Sequence, residues 1–383
     1  MDCVICRRCQ PGDSGIAADF IRANEPGKQG FLSIDVSHPT GPRIDIPGLR
    51  AAFGERLVVN VPLGRYTAAR VGGPADAFLH ACSSSELANF VCQLWKLEQP
   101  FLILGGGSNV LVSDSGVRGV VVLNRSKGGI RFNLGAEPPT VWAESGVNLA
   151  SLARRAAARG LSGLEWAAGI PGTLGGAIVG NAGAHGGSIA AQLVLAEILH
   201  RGEGMGIGEP AREMWAVDRM EYEYRGSALK GRRGGSLADD KAGTLQSHSC
   251  QPWVVVLGAQ LKLERSTPEA VQAQMEEFAT YRRRTQPSGA SIGSMFKNPP
   301  ADYAGRLIEA AGLKGTRLGG AEISALHANF FINNGKASAS DVFNLIRVAR
   351  ERVAEKYGVC LEMEIELVGD WQVKQDISSP PIR

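Results

Sequence analysis

Aromatic residues make up only 6% of the 383-residue sequence, and charged residues only 21%. Neither sign of charge dominates: 41 Lys+Arg stand against 38 Asp+Glu, and no stretch forms a strongly basic face. A protein that grips nucleic acid by neutralising phosphates is therefore not expected. No apolar run approaches the roughly 18 residues that span a bilayer, so no membrane partner is expected. Seven cysteines in so long a chain do not make a disulfide scaffold. The opening MDCVICRRCQPGDSG lacks the apolar core of a secretory signal. These absences point to a cytoplasmic, soluble protein, expected to be a monomer. The 44% hydrophobic content excludes disorder for most of the chain.

What the sequence has in excess is glycine. It holds 49, where an average composition of about 7% would give roughly 27. No three-residue period runs through them, which excludes collagen. Fourteen of the 49 are Gly72, Gly73, the run Gly105-Gly106-Gly107 and the nine between Gly163 and Gly187. Nine more lie in two low-complexity patches, 201–210 and 226–252. Both patches read as insertions rather than chemistry.

Residues 1–55 carry Pro26, Pro39, Pro42 and Pro47 with little periodicity, and read as an N-terminal extension holding one short helix. From 56 the texture becomes short β-rich runs at 57–61, 77–80, 101–104, 120–123, 140–143 and 253–263. Ser83 and Glu86 predict a capping box ahead of Leu87, Phe90, Val91 and Leu94. A helix over 149–159 should stop at Gly160. A boundary falls near 265, where Thr267 and Pro268 open a helix to about Arg284. Then come a helix ending at Gly312, a β segment 327–333, a helix 340–357 stopped by Gly358, and a strand 360–368. The domain reading is thus an extension 1–55, a first domain 56–265 and a second 266–383.

Two glycine blocks carry the first chemical signal. An apolar strand empties into Gly105-Gly106-Gly107-Ser108-Asn109, where converging backbone N–H groups make an anion nest. It is not the Rossmann fingerprint, because Val110 stands at the last glycine position. In the second block, Gly172, Gly175 and Gly176 let a helix N-terminus lie against a ligand with its N–H groups aimed at phosphate oxygens. Two such cradles suggest a dinucleotide bridged by a pyrophosphate, with purely structural glycine as the other reading.

With Arg70-Val71-Gly72-Gly73-Pro74-Ala75, these blocks resemble the FAD-binding half of the UDP-N-acetylenolpyruvoylglucosamine reductase family. The later motifs agree: Tyr224-Arg225, Gly293-Ser294-Met295-Phe296-Lys297-Asn298-Pro299, Ala310-Ala311-Gly312-Leu313-Lys314-Gly315, and Glu364-Ile365-Glu366-Leu367-Val368-Gly369. The resemblance implies an α+β protein, with an FAD-binding domain of the vanillyl-alcohol-oxidase (PCMH) type and a smaller C-terminal substrate domain. It implies NADPH-dependent reduction of UDP-N-acetylglucosamine enolpyruvate to UDP-N-acetylmuramate through non-covalent FAD, a step of peptidoglycan precursor synthesis. Flavin contacts are implied for Arg70, Gly105, Gly106, Gly107, Ser108 and Asn109. They are also implied for Gly169, Pro171, Gly172, Thr173, Gly175, Gly176, Asn181, Gly183 and Ala184. Tyr224, Lys297 and Asn298 would contact the UDP-sugar, and Arg225, Ser294 and Glu364 would be catalytic.

The chemistry asks for such groups. Hydride addition to the β-carbon of an enol ether beside a carboxylate leaves negative charge at the α-carbon and carboxylate. A permanently charged, forked donor such as Arg225 suits that charge, and a positioned hydroxyl such as Ser294 suits the proton that must follow. By resemblance, Glu364 acts protonated or through a shared hydrogen bond.

The sequence departs from the family at Glu366, where a basic residue is frequent, and at His185, where a Tyr is frequent. Its glycine-block spellings resemble the family's second subtype, which lacks a substrate-covering Tyr loop. Gly289-Ala290-Ser291-Ile292-Gly293 satisfies G-x-S-x-G without a preceding strand, which argues against a hydrolase elbow. Cys3, Cys6 and Cys9 have ligand-like spacing but no fourth partner, and the His residues show no paired spacing, so no metal is expected. Two rivals stay open: another flavin oxidase of the same fold, and a non-redox nucleotide-sugar-binding protein.

Overall fold

The computed structural model describes residues 44–201, 208–231 and 252–371. A first sheet has the order Val58–Pro62, Pro74–Ala81, Val117–Asn124, Phe101–Leu104, antiparallel at its first pair and parallel beyond it. Strand Val117–Asn124 is apolar on both faces because both are covered. Val120 and Val122 meet the helix Ser84–Lys96, while Val121 and Leu123 meet Val61, Phe78 and Leu104. That helix buries Leu87, Phe90, Val91 and Leu94, as its spacing predicts. Its capping box is half made: Ser83 Oγ accepts from Glu86 N, but Glu86 Oε2 accepts from the amide of Cys82 rather than of Ser83. The short helix expected before residue 55 is Ile46–Phe53, whose Leu49 and Phe53 are buried on the same core.

A second, antiparallel sheet runs Pro210–Ala216, Leu193–Arg201, Val254–Lys262, Thr140–Glu144, Ile130–Asn133. Helices Leu149–Ala157 and Leu174–Gly180 share its core. The first of these ends two residues earlier than expected, and Gly160 takes φ +63° in the turn that follows. Two of the strands that went unread in the sequence flank one low-complexity patch: Arg201 pairs with Pro210 across them. The other patch is ordered at its start, for Ala228–Gly231 is helical and Ser227 Oγ donates to Val179 O at 2.6 Å. Residues 226–231 are thus part of the packed structure, whereas 232–251 lie outside the described residues.

The C-terminal part opens on helix Pro268–Thr285, capped by Thr267 as expected. A four-stranded sheet follows, in the order Ala290–Ser294, Phe330–Asn333, Ala321–Ile323, Arg317–Leu318, with helices Ala304–Ala310 and Ala339–Tyr357 on it. The β segment expected from 327 starts only at Phe330, because His327 Nδ1 accepts from Asn329 N in a turn. The last helix begins one residue early, under a capping box made by Ser338 and Asp341. The expected strand 360–368 is split between two partners. Glu364 N donates to Met295 O and Lys297 N to Glu362 O. Only Glu366–Val368 forms a strand, parallel to Val110–Val112 of the N-terminal half. A segment that leaves one partner for another cannot keep one ladder, which is why its alternation misled.

Candidate active site

A cavity of about 400 Å³ lies where these parts meet. Its floor is built from the two glycine blocks, which touch backbone to backbone: a Cβ on Gly106 would lie 2.6 Å from Gly172 Cα. Ser108 Oγ donates to Pro171 O at 3.1 Å and fastens the pair. The amides of Gly106, Gly107 and Ser108 have no acceptor among the described residues. They form the anion nest expected of this turn.

The helix start at Leu174 does not act as expected. Leu174 N donates to Val147 O, Gly175 N to Ser145 O and Gly176 N to Thr173 Oγ1, so its first amides are already used by the protein. Gly175 is small because a Cβ there would meet Ser145 Cβ at 2.9 Å. The amides of Leu174, Gly175 and Gly176 are therefore not open to a phosphate.

Three groups face each other across the cavity. Arg225 stands at the tip of a turn, Ser294 ends the strand Ala290–Ser294, and Glu364 ends the run beside Met295. Strand register slips between Ser291 and Ser294, and Gly293 takes φ +92° there. Such a bulge re-aims the side chain after it. Ser294 Oγ makes no hydrogen bond among the described residues. Asn109 Nδ2 donates to Glu364 O at 3.3 Å, so the glycine turn also holds the acid in place.

Arg225 Nε lies 3.0 Å from Glu364 Oε1. The contact is an ion pair without being a hydrogen bond: Nε is buried, and its N–H finds no acceptor among the described residues. A buried donor without an acceptor is costly unless a ligand completes it. Burial raises the Glu364 carboxyl above its ordinary range, and Arg225, Lys230 and Lys297 pull it part of the way back.

A family model for the C-terminal domain of UDP-N-acetylenolpyruvoylglucosamine reductase matches residues 286–368, and an FAD binding domain model matches residues 75–204. The UDP-N-acetylenolpyruvoylglucosamine reductase of Chloroflexus aggregans is 42% identical over 311 residues, 81% of this chain and 96% of that one. The Bacillus subtilis protein of the same name is 37% identical over 315 residues, 82% of this chain and 94% of its own. The chain belongs to the UDP-N-acetylenolpyruvoylglucosamine reductase family. A solved structure of the Thermus caldophilus reductase covers 82% of this chain and 98% of its own, with 34% identity and a TM-score of 0.62. The expected fold class holds, an FAD-binding domain of the vanillyl-alcohol-oxidase type with an α+β domain after it.

An FAD fits the residues present. The two glycine backbones leave no side chain over the nest, its amides await an acceptor, and a second cavity of about 480 Å³ adjoins the first across Ile103, Gly105, Thr173, Gly176 and Glu364. Of the residues implied for this family, Gly105, Gly106, Gly107, Ser108, Asn109, Pro171, Gly172, Thr173, Gly176, Gly183 and Ala184 line the first cavity. Gly175 and Lys297 line the second, where Lys297 Nζ sits 3.2 Å from Glu362 Oε2.

Five others are not brought to either wall. Arg70 is exposed, with φ +56°. Tyr224 is 58% exposed. Gly169 makes room for the Arg282 side chain, since its Cβ would lie 2.9 Å from Arg282 Cδ. Asn181 donates to Glu223 O and accepts from Ala190 N, and Asn298 accepts from Ala304 N. The Asn181 and Asn298 side chains are spent on structure.

Residues that the motifs missed also line the site. Lys230 borders both cavities. Arg282 borders the first and has no ion pair or hydrogen bond for its guanidinium among the described residues. A signal for Arg282 was available, because it continues the stripe Val271, Met275, Phe278 at helical spacing. His185, where the family often has Tyr, still acts as an aromatic: it stacks on Phe278 at 4.3 Å. The G-x-S-x-G run is itself a strand, antiparallel to Phe330–Asn333, so no elbow forms. Among the described residues no three His, Cys, Asp or Glu gather as a metal site, and no helix is long and apolar enough to cross a membrane. Cys3, Cys6 and Cys9 lie outside the described residues.

Proposed function

We propose that this chain reduces UDP-N-acetylglucosamine enolpyruvate to UDP-N-acetylmuramate with NADPH, through FAD. The observation that carries the reading is the convergence of Arg225, Ser294 and Glu364 on one cavity above the Gly106–Ser108 amides. An FAD held at the Gly106–Ser108 amides would supply the hydride transfer from NADPH to the β-carbon of the enol ether. The chain's own residues do the rest. The Arg225 guanidinium, with a buried N–H lacking an acceptor, faces the charge that grows on the α-carbon and carboxylate. Ser294 Oγ, without a hydrogen bond among the described residues, gives its proton to the α-carbon. Glu364, held toward its protonated form by burial, donates toward the same charge without adding a second anion. Lys297, which lines the second cavity, is our candidate for contact with the UDP-sugar.

We place the reaction in the cytoplasm, where nucleotide sugars and NADPH are made, as a step toward peptidoglycan, and take residues 266–383 as the substrate-binding domain. Anaerobic mixing of the NADPH-reduced protein with the enolpyruvyl substrate should restore the oxidised flavin spectrum. A flavin that stays reduced would overturn the reading. A flavin that survives denaturation on the chain would favour an oxidase of the same fold, and a colourless protein indifferent to FAD would favour the non-redox alternative.

A further inference from the structure

Arg225 takes φ +57°, the left-handed conformation that glycine adopts freely and a residue with a Cβ resists. Its turn is closed by two bonds, Glu223 N to Gly226 O at 3.3 Å and Gly226 N to Glu223 O at 3.2 Å. Three side-chain bonds fix the stems of that turn to the end of helix Leu174–Gly180. Tyr222 Oη donates to Ile178 O at 3.0 Å, Ser227 Oγ to Val179 O at 2.6 Å, and Asn181 Nδ2 to Glu223 O at 2.9 Å. The first two are accepted by helix-end carbonyls and the third by the turn's own Glu223 carbonyl, but none of them touches Arg225.

One group does. Lys230, in the short helix Ala228–Gly231, donates from Nζ to Arg225 O at 2.9 Å. That carbonyl belongs to the peptide linking Arg225 to Gly226, so holding it fixes ψ of Arg225 and, with the two Glu223–Gly226 bonds, the turn in which Arg225 stays left-handed. Losing this bond would let the turn relax, so that Arg225 leaves its left-handed conformation and the guanidinium swings away from Glu364, now 3.0 Å from its Nε. We propose that Lys230 is a positioning residue of the reaction: by gripping the Arg225 carbonyl it holds the arginine in its strained conformation, with the guanidinium at Glu364 and the reacting carboxylate.

This rests on the roles given above to Arg225 and Glu364, and the test separates the two. In Lys230→Met the oxidative half-reaction, flavin reoxidation by the enolpyruvyl substrate, should slow by about 10- to 100-fold, the scale of an angstrom-sized misplacement. Flavin content and flavin reduction by NADPH should stay within about twofold, because neither needs Arg225 aimed at the substrate. Lys230→Arg keeps a donor on a long stem and should recover most of the loss. Lys230→Gln serves the same comparison if Lys230→Met does not load flavin.

A double-mutant cycle decides between action through Arg225 and direct contact with a ligand. In an Arg225→Ala background, Lys230→Met should add no further slowing. The full slowing in that background, or an equal loss of NADPH reduction, would overturn the proposal and leave the role of Arg225 standing. An Arg225→Ala enzyme that reoxidises at the native rate would overturn the role of Arg225, and the proposal with it.

Discussion

Ser294 owes its place to the Gly293 bulge, which turns its hydroxyl from the sheet into the cavity. Ser294→Ala should therefore leave flavin reduction by NADPH intact and slow reoxidation by the enolpyruvyl substrate about 10²–10⁴-fold, the range of a positioned acid. Stopped-flow absorbance of each half-reaction checks it, and equal loss of both would remove Ser294 from the proton-donor role. Glu364 makes a different prediction, because its folded pKa is raised by burial while Arg225, Lys230 and Lys297 face it and lower it. Glu366 lines the same wall. A raised pKa means that the protonated form persists above the free glutamate value of about 4.3 and is lost as pH rises further. The reoxidation rate should accordingly fall with rising pH on a limb above the ordinary carboxylate range. Glu364→Gln, which cannot ionise, should flatten that limb in a single-turnover pH profile.

At the scale of elements, the last helix shows how the two halves of the chain are joined. Helix Ala339–Tyr357 has its own capping box, yet the Asp114 carboxylate, from the segment after Val110–Val112, also accepts from Ala339 N and Ser340 N at 2.8 Å each. It accepts from Ser340 Oγ at 2.6 Å as well. A carboxylate at a helix N-terminus is favoured by the open amides and by the dipole. Asp114→Ala should cost about 1–2 kcal/mol of stability, as lost caps do. Urea unfolding should show a lower midpoint at unchanged slope, and an unchanged midpoint would mean that the helix's own box suffices.

At the scale of the molecule, the cavity belongs to no single segment. Gly106 and Gly172 meet from different sheets, Arg225 comes from the end of the second, and Ser294 and Glu364 come from the C-terminal part. A ligand that binds only this assembled site stabilises the fold by mass action, about 2.7 kcal/mol at a hundredfold excess over Kd. Stripping FAD should lower the thermal midpoint, and adding FAD back should restore it in a concentration-dependent way. An identical midpoint with and without FAD would show that the cavity is not where the flavin binds.

Much of this was legible in the sequence where the cause is local. Ser83, Thr267 and Gly358 act within one helical turn of the helices they bound, so their spacing told the truth. The glycine blocks were legible for a related reason: two backbones in contact exclude a Cβ, and only glycine meets that requirement wherever the rest of the chain goes. The residue types for charge, proton and acid were legible through motifs in a family order, and the cavity brings all three together. Tertiary structure alone decided what each polar group faces. It spends Asn181 and Asn298 on backbone, uses up the amides at Leu174, and divides 360–368 between two partners. It also turns Lys230 toward Arg225 and Arg282 into the cavity. Sequence spacing records what a residue can do within its own turn or strand, whereas a hydrogen bond across 130 or more positions, such as Asn109 to Glu364, depends on a chain path that no local signal carries.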